Sequence, residues 1–584
     1  MIQAQISDIF QYPTALTREY LSFASATVHS LKHWSSQLSI AQLGDSSEAI
    51  LTALSELAEL QCEETLRFDL IQVLHPLIEN ILERLEKNFV NQGLFQSERN
   101  RDIIELTTRI RTLFADIYID IAQRSQHKLN QHKFSLLKWR QKRNLKTARL
   151  LAGYYALKQL GLLLVQQQML YRSALSNQWL MTHYLFHMAM KNQEHLVNIN
   201  LLQGTHHVSK NIQQAYAQVL LLEIFNTHQI RPSEIHALYQ CSHDWAQLVQ
   251  ILPRETTLVR YIIDSNQDQP PVYNRKQHDR FRPNIYVATQ ALLQHINLTI
   301  QNENEYLSKT EKAFFSAPLK FHVQNVLGST IERRHERYEY SAQLQLCFSV
   351  ITAHYYLSHR QDFQHTLLLP SSLENEVEQQ RLASRPFSPD TSPRLDQSRQ
   401  AGKLDRESKQ MFATQVLDIS LNGYRVQWLN SDAPPSLRTG EFILMKESTS
   451  SPWKGGVIRW IKQSVQRNYE IGLEVIGQEI YPCAAKVYAN QHQYYYQPAM
   501  LVQSHQLNSA PFSIILPNLQ QLKEQQPLYI RLFDQEIKVQ LVKTLLMTQS
   551  FVQYELSLEH TGQQSLIGQF IQQHQLDAHH HQDA

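Results

Sequence analysis

Glycine is scarce in this chain, at 15 of 584 residues. A glycine-looped nucleotide enzyme is therefore a poor fit, and neither a Walker A sequence, a GxGxxG nor a GxSxG elbow occurs. Only four cysteines are present, Cys62, Cys241, Cys347 and Cys483, and no two make a CxxC pair. That argues against a disulfide framework or a zinc finger and fits a reducing cytoplasm. The 27 histidines are scattered, without HExxH. His206-His207 and His579-His580-His581 are merely adjacent, so no metal site is expected. No local context singles out a nucleophile, and the chain is expected not to be an enzyme.

Long apolar runs are also missing. The richest stretch, Leu160 to Met190, is broken by Gln166, Gln167, Gln168, Arg172, Gln178 and His183. It falls short of the roughly 20 apolar residues that a membrane span needs. The opening MIQAQISDIFQYPTALTREYLSF lacks a basic segment followed by an apolar run, so no secretory signal is expected. Net charge is nearly absent too, at +2 from 55 basic and 53 acidic residues. Global charge thus selects neither nucleic acid nor membrane as partner.

What is present is material for several cores, since hydrophobic residues make up 42%. Residues 1–255 read as a helical domain. Between Asp102 and Gln123, Ile103, Leu106, Ile110, Leu113, Phe114, Ile117 and Ile121 recur at steps of three and four, one stripe of a helix. Residues 256–330 read as a mixed α/β segment. From Tyr338 the texture is β, and QLQLCFSVITAHYYL (343–357) reads as strand. A polar, proline-punctuated stretch, 358–411, reads as a mobile insertion. Strands then resume through YEIGLEVIG (469–477). Short strands separated by turn signals suggest an antiparallel barrel over 331–485. A second β-domain is expected at 486–570 and a flexible tail at 571–584. The fold class is multidomain α+β.

Two segments carry the chemistry: Arg333-Arg334-His335-Glu336-Arg337 before a strand, and Asp418-Ile419-Ser420-Leu421-Asn422-Gly423 at a turn. A guanidinium can fork to phosphate or to a guanine edge and stack on a base. Asp418 can accept from guanine N1–H and the exocyclic amine. Ser420 adds a hydroxyl, and Gly423 permits a sharp turn and close approach.

RxxxR followed by [DN]xSxxG resembles the signature of PilZ domains. The similarity covers about residues 332–485, with GGVIRW (455–460) and YEIGLEV (469–475) in family order. The resemblance implies a six-stranded barrel that binds cyclic di-GMP through Arg333, Arg334, Arg337, Asp418, Ser420 and Gly423. It implies outputs in motility, type IV pili or biofilm control; the chain is expected to be a cytoplasmic receptor without cofactor whose helical region meets a protein partner. A rival RxxxR at Arg381 and Arg385 would enter the barrel without its first strand, so Arg333 and Arg337 are preferred. PilZ-like barrels can also serve as adaptors that bind no ligand, and that alternative stays open.

Residues 121–193 contain no Asp or Glu but hold Arg124, Lys128, Lys133, Lys138, Arg140, Lys142, Arg143, Lys146 and Arg149. The preferred reading is a solvated face balanced by Glu79, Glu83 and Glu86. The alternative is a basic surface for nucleic acid, anionic lipid or an acidic partner, which stays second because no aromatic ladder or known reading motif accompanies it.

Overall fold

A computed structural model describes residues 10, 15–39, 42–90, 97–131, 138–203, 209–274, 281–328, 337–367, 409–420, 422–428, 434, 437–448, 451–464, 468–488, 493–504, 510–519 and 521–582. The chain divides into two compact units, Met1–Ile331 and Glu332–Ala584.

The first unit is built on long helices: α1 (Val28–Gln37), α2 (Leu43–Glu59), α3 (Glu64–Glu86), α4 (Glu98–Gln131), α5 (Trp139–Met169), α6 (Gln178–Lys191), α7 (Ile212–Ile224) and α8 (Pro232–Trp245). On α4 the expected stripe buries Ile110, Phe114, Ile117 and Ile121, but burial also reaches Tyr118, Ile119 and Asp120. Helix α5 is buried on nearly every side from Ala148 to Met169, which makes it the central helix. Gln166, one of the residues that break the apolar run, serves this interior together with Gln159. Gln166 Oε1 accepts from Arg111 Nε at 3.2 Å, Gln159 Oε1 accepts from Arg111 Nη1 at 3.4 Å, and Gln166 Nε2 donates to Thr108 Oγ1 at 2.9 Å. Arg67 is fully buried, held by Glu64 at 2.7 Å, Asp120 at 3.0 Å and the Ala58 carbonyl at 3.2 Å. A buried charge persists only when paired in this way.

The segment expected as a separate α/β piece contributes to the same core. Strands β1 (Gln250–Leu252), β2 (Val259–Ile263), β3 (Val272–Tyr273) and β4 (Ile285–Ala288) form an antiparallel sheet in the order β1-β4-β2-β3. Helices α9 (Gln290–Gln301) and α10 (Ala317–Gly328) follow. Ile263, Val287, Leu292, Ile296, Leu319 and Val323 join the helical core directly.

The second unit holds two closed antiparallel barrels. The first comprises β5 (Tyr338–Phe348), β6 (Phe412–Ser420), β7 (Gly423–Trp428), β8 (Phe442–Lys446), β9 (Lys454–Gln463) and β10 (Tyr469–Gly477), in the order β10-β7-β6-β5-β8-β9. The second comprises β11 (Glu479–Tyr488), β12 (Tyr494–Gln503), β13 (Phe512–Pro517), β14 (Pro527–Leu532), β15 (Gln535–Met547) and β16 (Phe551–Leu558), in the order β11-β12-β13-β16-β15-β14. Within the unit, Ser550 Oγ donates to Glu441 Oε2 at 2.7 Å, and the Phe442 and Phe551 rings meet edge-on at 5.5 Å.

Three local expectations change. The strand expected to run to Leu357 stops at Phe348, and Val350–Leu357 is helix α11. Ser349 adopts φ of +76°, and its Oγ accepts from the Thr352 amide at 3.2 Å. That cap turns a β-branched, aromatic segment into helix, whose Val350, Ala353 and His354 are buried. Second, the beginning of the expected insertion is ordered: Phe363–Thr366 is a short helix, and the Leu367 carbonyl accepts from Arg531 Nε at 2.6 Å. The rest of that insertion, 368–408, lies outside the described residues. Third, the tail expected as flexible is part of α12 (Thr561–Gln582). Ile567, Phe570 and Ile571, at steps of three and one, pack into the second barrel's core.

Candidate functional site

The site is built by a register irregularity. On β7, Tyr424, Val426 and Trp428 are buried, so Arg425 and Gln427 face outward. Val416 pairs with Val426, but the next pair is Asp418 with Arg425, leaving Leu417 as an extra residue. That bulge moves Asp418 onto the outer face. Asp418 in turn pairs with Glu339 on β5, Arg425 with Gly472 on β10, and Gly472 with Trp460 on β9. Glu339, Asp418, Arg425, Gly472 and Trp460 therefore form one transverse row across five neighbouring strands.

Asp418 is the centre of a charge chain. Its Oδ1 accepts from Arg337 Nη1 at 3.0 Å, and its Oδ2 accepts from Arg425 Nη1 at 3.1 Å. Arg425 continues to Glu470 Oε2, through Nη2 at 2.9 Å and Nε at 3.2 Å. Burial works against the charge of Arg425, but the hydrogen bonds to Glu470 and Asp418 outweigh it and raise its pKa. Asp418 is shielded while Arg337 and Arg425 remain over a third exposed, at 40% and 36% of their side chains. Two cations and two anions leave this chain of charges formally neutral.

Gly423 closes the turn. It pairs with Ser420 on β6 and with Glu474 on β10. A Cβ there would come within 2.4 Å of the Leu473 carbonyl oxygen, so the close approach of the strands requires glycine. Ser420 Oγ lies 3.4 Å from the Gly423 carbonyl, a long contact that leaves the hydroxyl weakly engaged. At the other end of the row, a Cβ on Gly472 would come within 2.0 Å of Trp460 Nε1. The indole thus lies across the glycine. Arg459 pairs with Glu474 alongside.

Arg337, Asp418, Ser420 and Gly423 are brought to one end of the β5–β6–β7 sheet. Arg333 and Arg334 lie outside the described residues, as do Arg381 and Arg385. The connection that carries the latter pair leaves the barrel near Phe348 and returns near Phe412, which is the opposite end of the β5–β6 pairing from Glu339 and Asp418. Arg425 and Glu470 were not anticipated. The alternation Tyr-Arg-Val-Gln-Trp already places Arg425 on the outward side, and the bulge that sets Asp418 opposite it is not visible in the pattern. Among the described residues no group of His, Cys, Asp and Glu is placed to hold a metal, and no helix is long and apolar enough to cross a membrane.

Comparison with known proteins gives matches along most of the length of the two units. Residues 29–255 match the N-terminal domain of the cyclic-di-GMP receptor FimW, residues 260–482 its middle PilZ domain, and residues 483–558 its C-terminal beta-barrel domain. A curated relative from Pseudomonas aeruginosa, named cyclic-di-GMP receptor FimW, is 24% identical over 577 residues, covering 92% of this chain and 92% of the relative. No solved structure matches.

Proposed function

We propose, for a chain that belongs to the PilZ domain family, that it is a receptor for cyclic di-GMP. The observation that carries this reading is Asp418 held on the outer face of the barrel between Arg337 and Arg425, in a row that ends on Trp460 over Gly472. The ligand presents two guanine edges and two phosphates. Asp418 offers the acceptor for a guanine N1–H and amine. Arg337, with Arg333 and Arg334 beside it in sequence, offers the charge for the phosphates and flat faces for the bases. The described charge chain is neutral, so Arg333 and Arg334 supply the positive surplus that a doubly anionic ligand needs. Ser420 and Gly423 line the turn.

Arg337 is paired with Asp418. Binding exchanges that pair for contacts with phosphate and guanine. A ligand shifts a conformational equilibrium only by its differential affinity for the two arrangements, and this exchange is one source of it. The output is a protein partner that reads the helical unit. The free, mostly buried cysteines fit a cytoplasmic setting. The family is one of receptors, which is not an enzyme class.

Calorimetric titration of cyclic di-GMP into the full chain, with GTP as control, tests this. Binding that disappears in both Arg337→Ala and Asp418→Ala supports the site. Binding that survives Arg337→Ala transfers the arginine role to Arg381 and Arg385. No binding by the folded wild type rejects the receptor reading and favours a ligand-free adaptor.

A further inference from the structure

The acid-free stretch of the helical unit is sorted by the structure into two groups. Arg124 pairs with Asp120 at 2.9 Å, Lys128 lies 3.6 Å from Glu63 and 3.7 Å from Glu64, and Arg149 pairs with Glu194. Those three serve the fold. Lys138, Arg140, Lys142, Arg143 and Lys146 are all exposed and have no carboxylate partner among the described residues, and Lys133 lies outside them. The acids expected to balance them are engaged elsewhere: Glu79 with His75, Glu83 with Lys87, and Glu86 with Arg111. The face is solvated as expected from sequence, but Glu79, Glu83 and Glu86 do not balance it.

The shape is as informative as the charge. Residues 138–144 are exposed without exception, and Leu145 is the first buried side chain of α5. About two turns of helix stand clear of the core. Trp139 sits on this projection, 53% exposed, with the Arg140 guanidinium 5.4 Å from its ring centroid. The first turn of α5 contains no acidic residue. An indole left in water forgoes the free energy that burial of so large an apolar surface would supply.

We infer that this end of α5 is a docking surface for an anionic lipid bilayer. Tryptophan beside Lys and Arg is the composition that settles in a headgroup layer, with the ring at the acyl boundary and the cations on the phosphates. Five cations near the surface of a membrane containing anionic lipid each improve partitioning roughly fivefold, and the gain is screened by salt. A duplex nucleic acid is the poorer fit. The free helix is only ~10 Å long, well under one groove repeat of ~34 Å, and a single indole offers no ladder for stacked bases. The attachment is peripheral and reversible.

Cosedimentation of the full chain with phosphatidylcholine vesicles, with and without phosphatidylglycerol, tests the inference. The expected result is pelleting with the anionic vesicles only, weakened by salt. The variant Arg140→Gln/Lys142→Gln/Arg143→Gln loses roughly 100-fold in partitioning at fivefold per charge, with its circular dichroism unchanged. Trp139→Ser weakens binding while leaving its salt dependence in place. Equal pelleting by wild type and the triple variant overturns the inference, as does no pelleting by wild type at low salt. Binding of duplex DNA through these three residues, without vesicle binding, overturns it in favour of nucleic acid.

Discussion

Asp418 and Arg425 stand directly opposite each other on β6 and β7, with Oδ2 and Nη1 3.1 Å apart, because one extra residue, Leu417, is inserted before the pair. The same carboxylate is held from the other side by Arg337 at 3.0 Å. The two arginines differ in what they keep when Asp418 is lost. Arg425 retains Glu470, whereas no other partner of Arg337 is described.

That difference predicts a graded response. Removing Asp418 deletes a charged acceptor, which costs about 10- to 100-fold in cyclic di-GMP affinity. Arg425→Ala removes only one brace on that acceptor, and a loss of about 5- to 10-fold is expected. Neither change lowers stability by more than about 1 kcal/mol, because the pairs are partly solvated. Titration calorimetry beside urea denaturation checks both statements, and a larger loss in Arg425→Ala than in Asp418→Ala would make Arg425 the primary contact.

Gly423→Ala acts through the backbone. Its Cβ would meet the Leu473 carbonyl oxygen at 2.4 Å, so β7 must move away from β10. Overpacking of this kind costs about 1–3 kcal/mol. A lowered thermal midpoint together with weakened ligand binding is expected; an unchanged midpoint would show that the strands yield without penalty.

The first unit has its own test in Arg67, which is fully buried against Glu64 and Asp120. Arg67→Ala leaves two buried carboxylates facing each other without their shared cation. A loss of about 3–5 kcal/mol is expected. Replacing Arg67 by Met while changing Glu64 to Gln and Asp120 to Asn recovers part of it, and chemical denaturation of the three proteins measures the difference.

The pH dependence of the second unit follows from His354. Burial pushes its pKa down to about 4, against a hydrogen bond with the Cys483 backbone that acts the other way. Its folded pKa lies below the unfolded value, so the neutral ring contributes stability that is fully present above about pH 6.5. That stability is lost as the pH falls from there towards about 4, by about 3 kcal/mol in all. His354→Gln is expected to flatten the decline over this window, as read from denaturation midpoints at a series of pH values.

Local pattern was enough to assign helix to the first region and strands to the barrels, and to single out Asp418, Ser420 and Gly423 as candidates. Helical periodicity survives wherever a helix has one dry face, as on α4, and β-alternation survives on barrel strands that face a core on one side. The spacing of Asp418, Ser420 and Gly423 is local, so it could be read directly. What failed was decided by partners distant in the chain. Val350–Leu357 looks like strand in composition, but Ser349 caps it and the barrels bury it, so it is helix. The sequence reads as β-domain to residue 570 and as a flexible tail beyond, yet α12 spans that boundary and its Ile567, Phe570 and Ile571 find the second barrel's core. Arg425 meets Asp418 only through a bulge whose existence depends on how β6 pairs with β7. The basic stretch shows the same limit in electrostatics. Composition counts charges, but only the folded chain decides that Glu86 pairs with Arg111 and that Lys138, Arg140, Lys142, Arg143 and Lys146 are left facing solvent. Local propensity acts over a few residues, whereas pairing, burial and charge neutralisation act through space, and the second set fixes which surfaces remain open to ligands and partners.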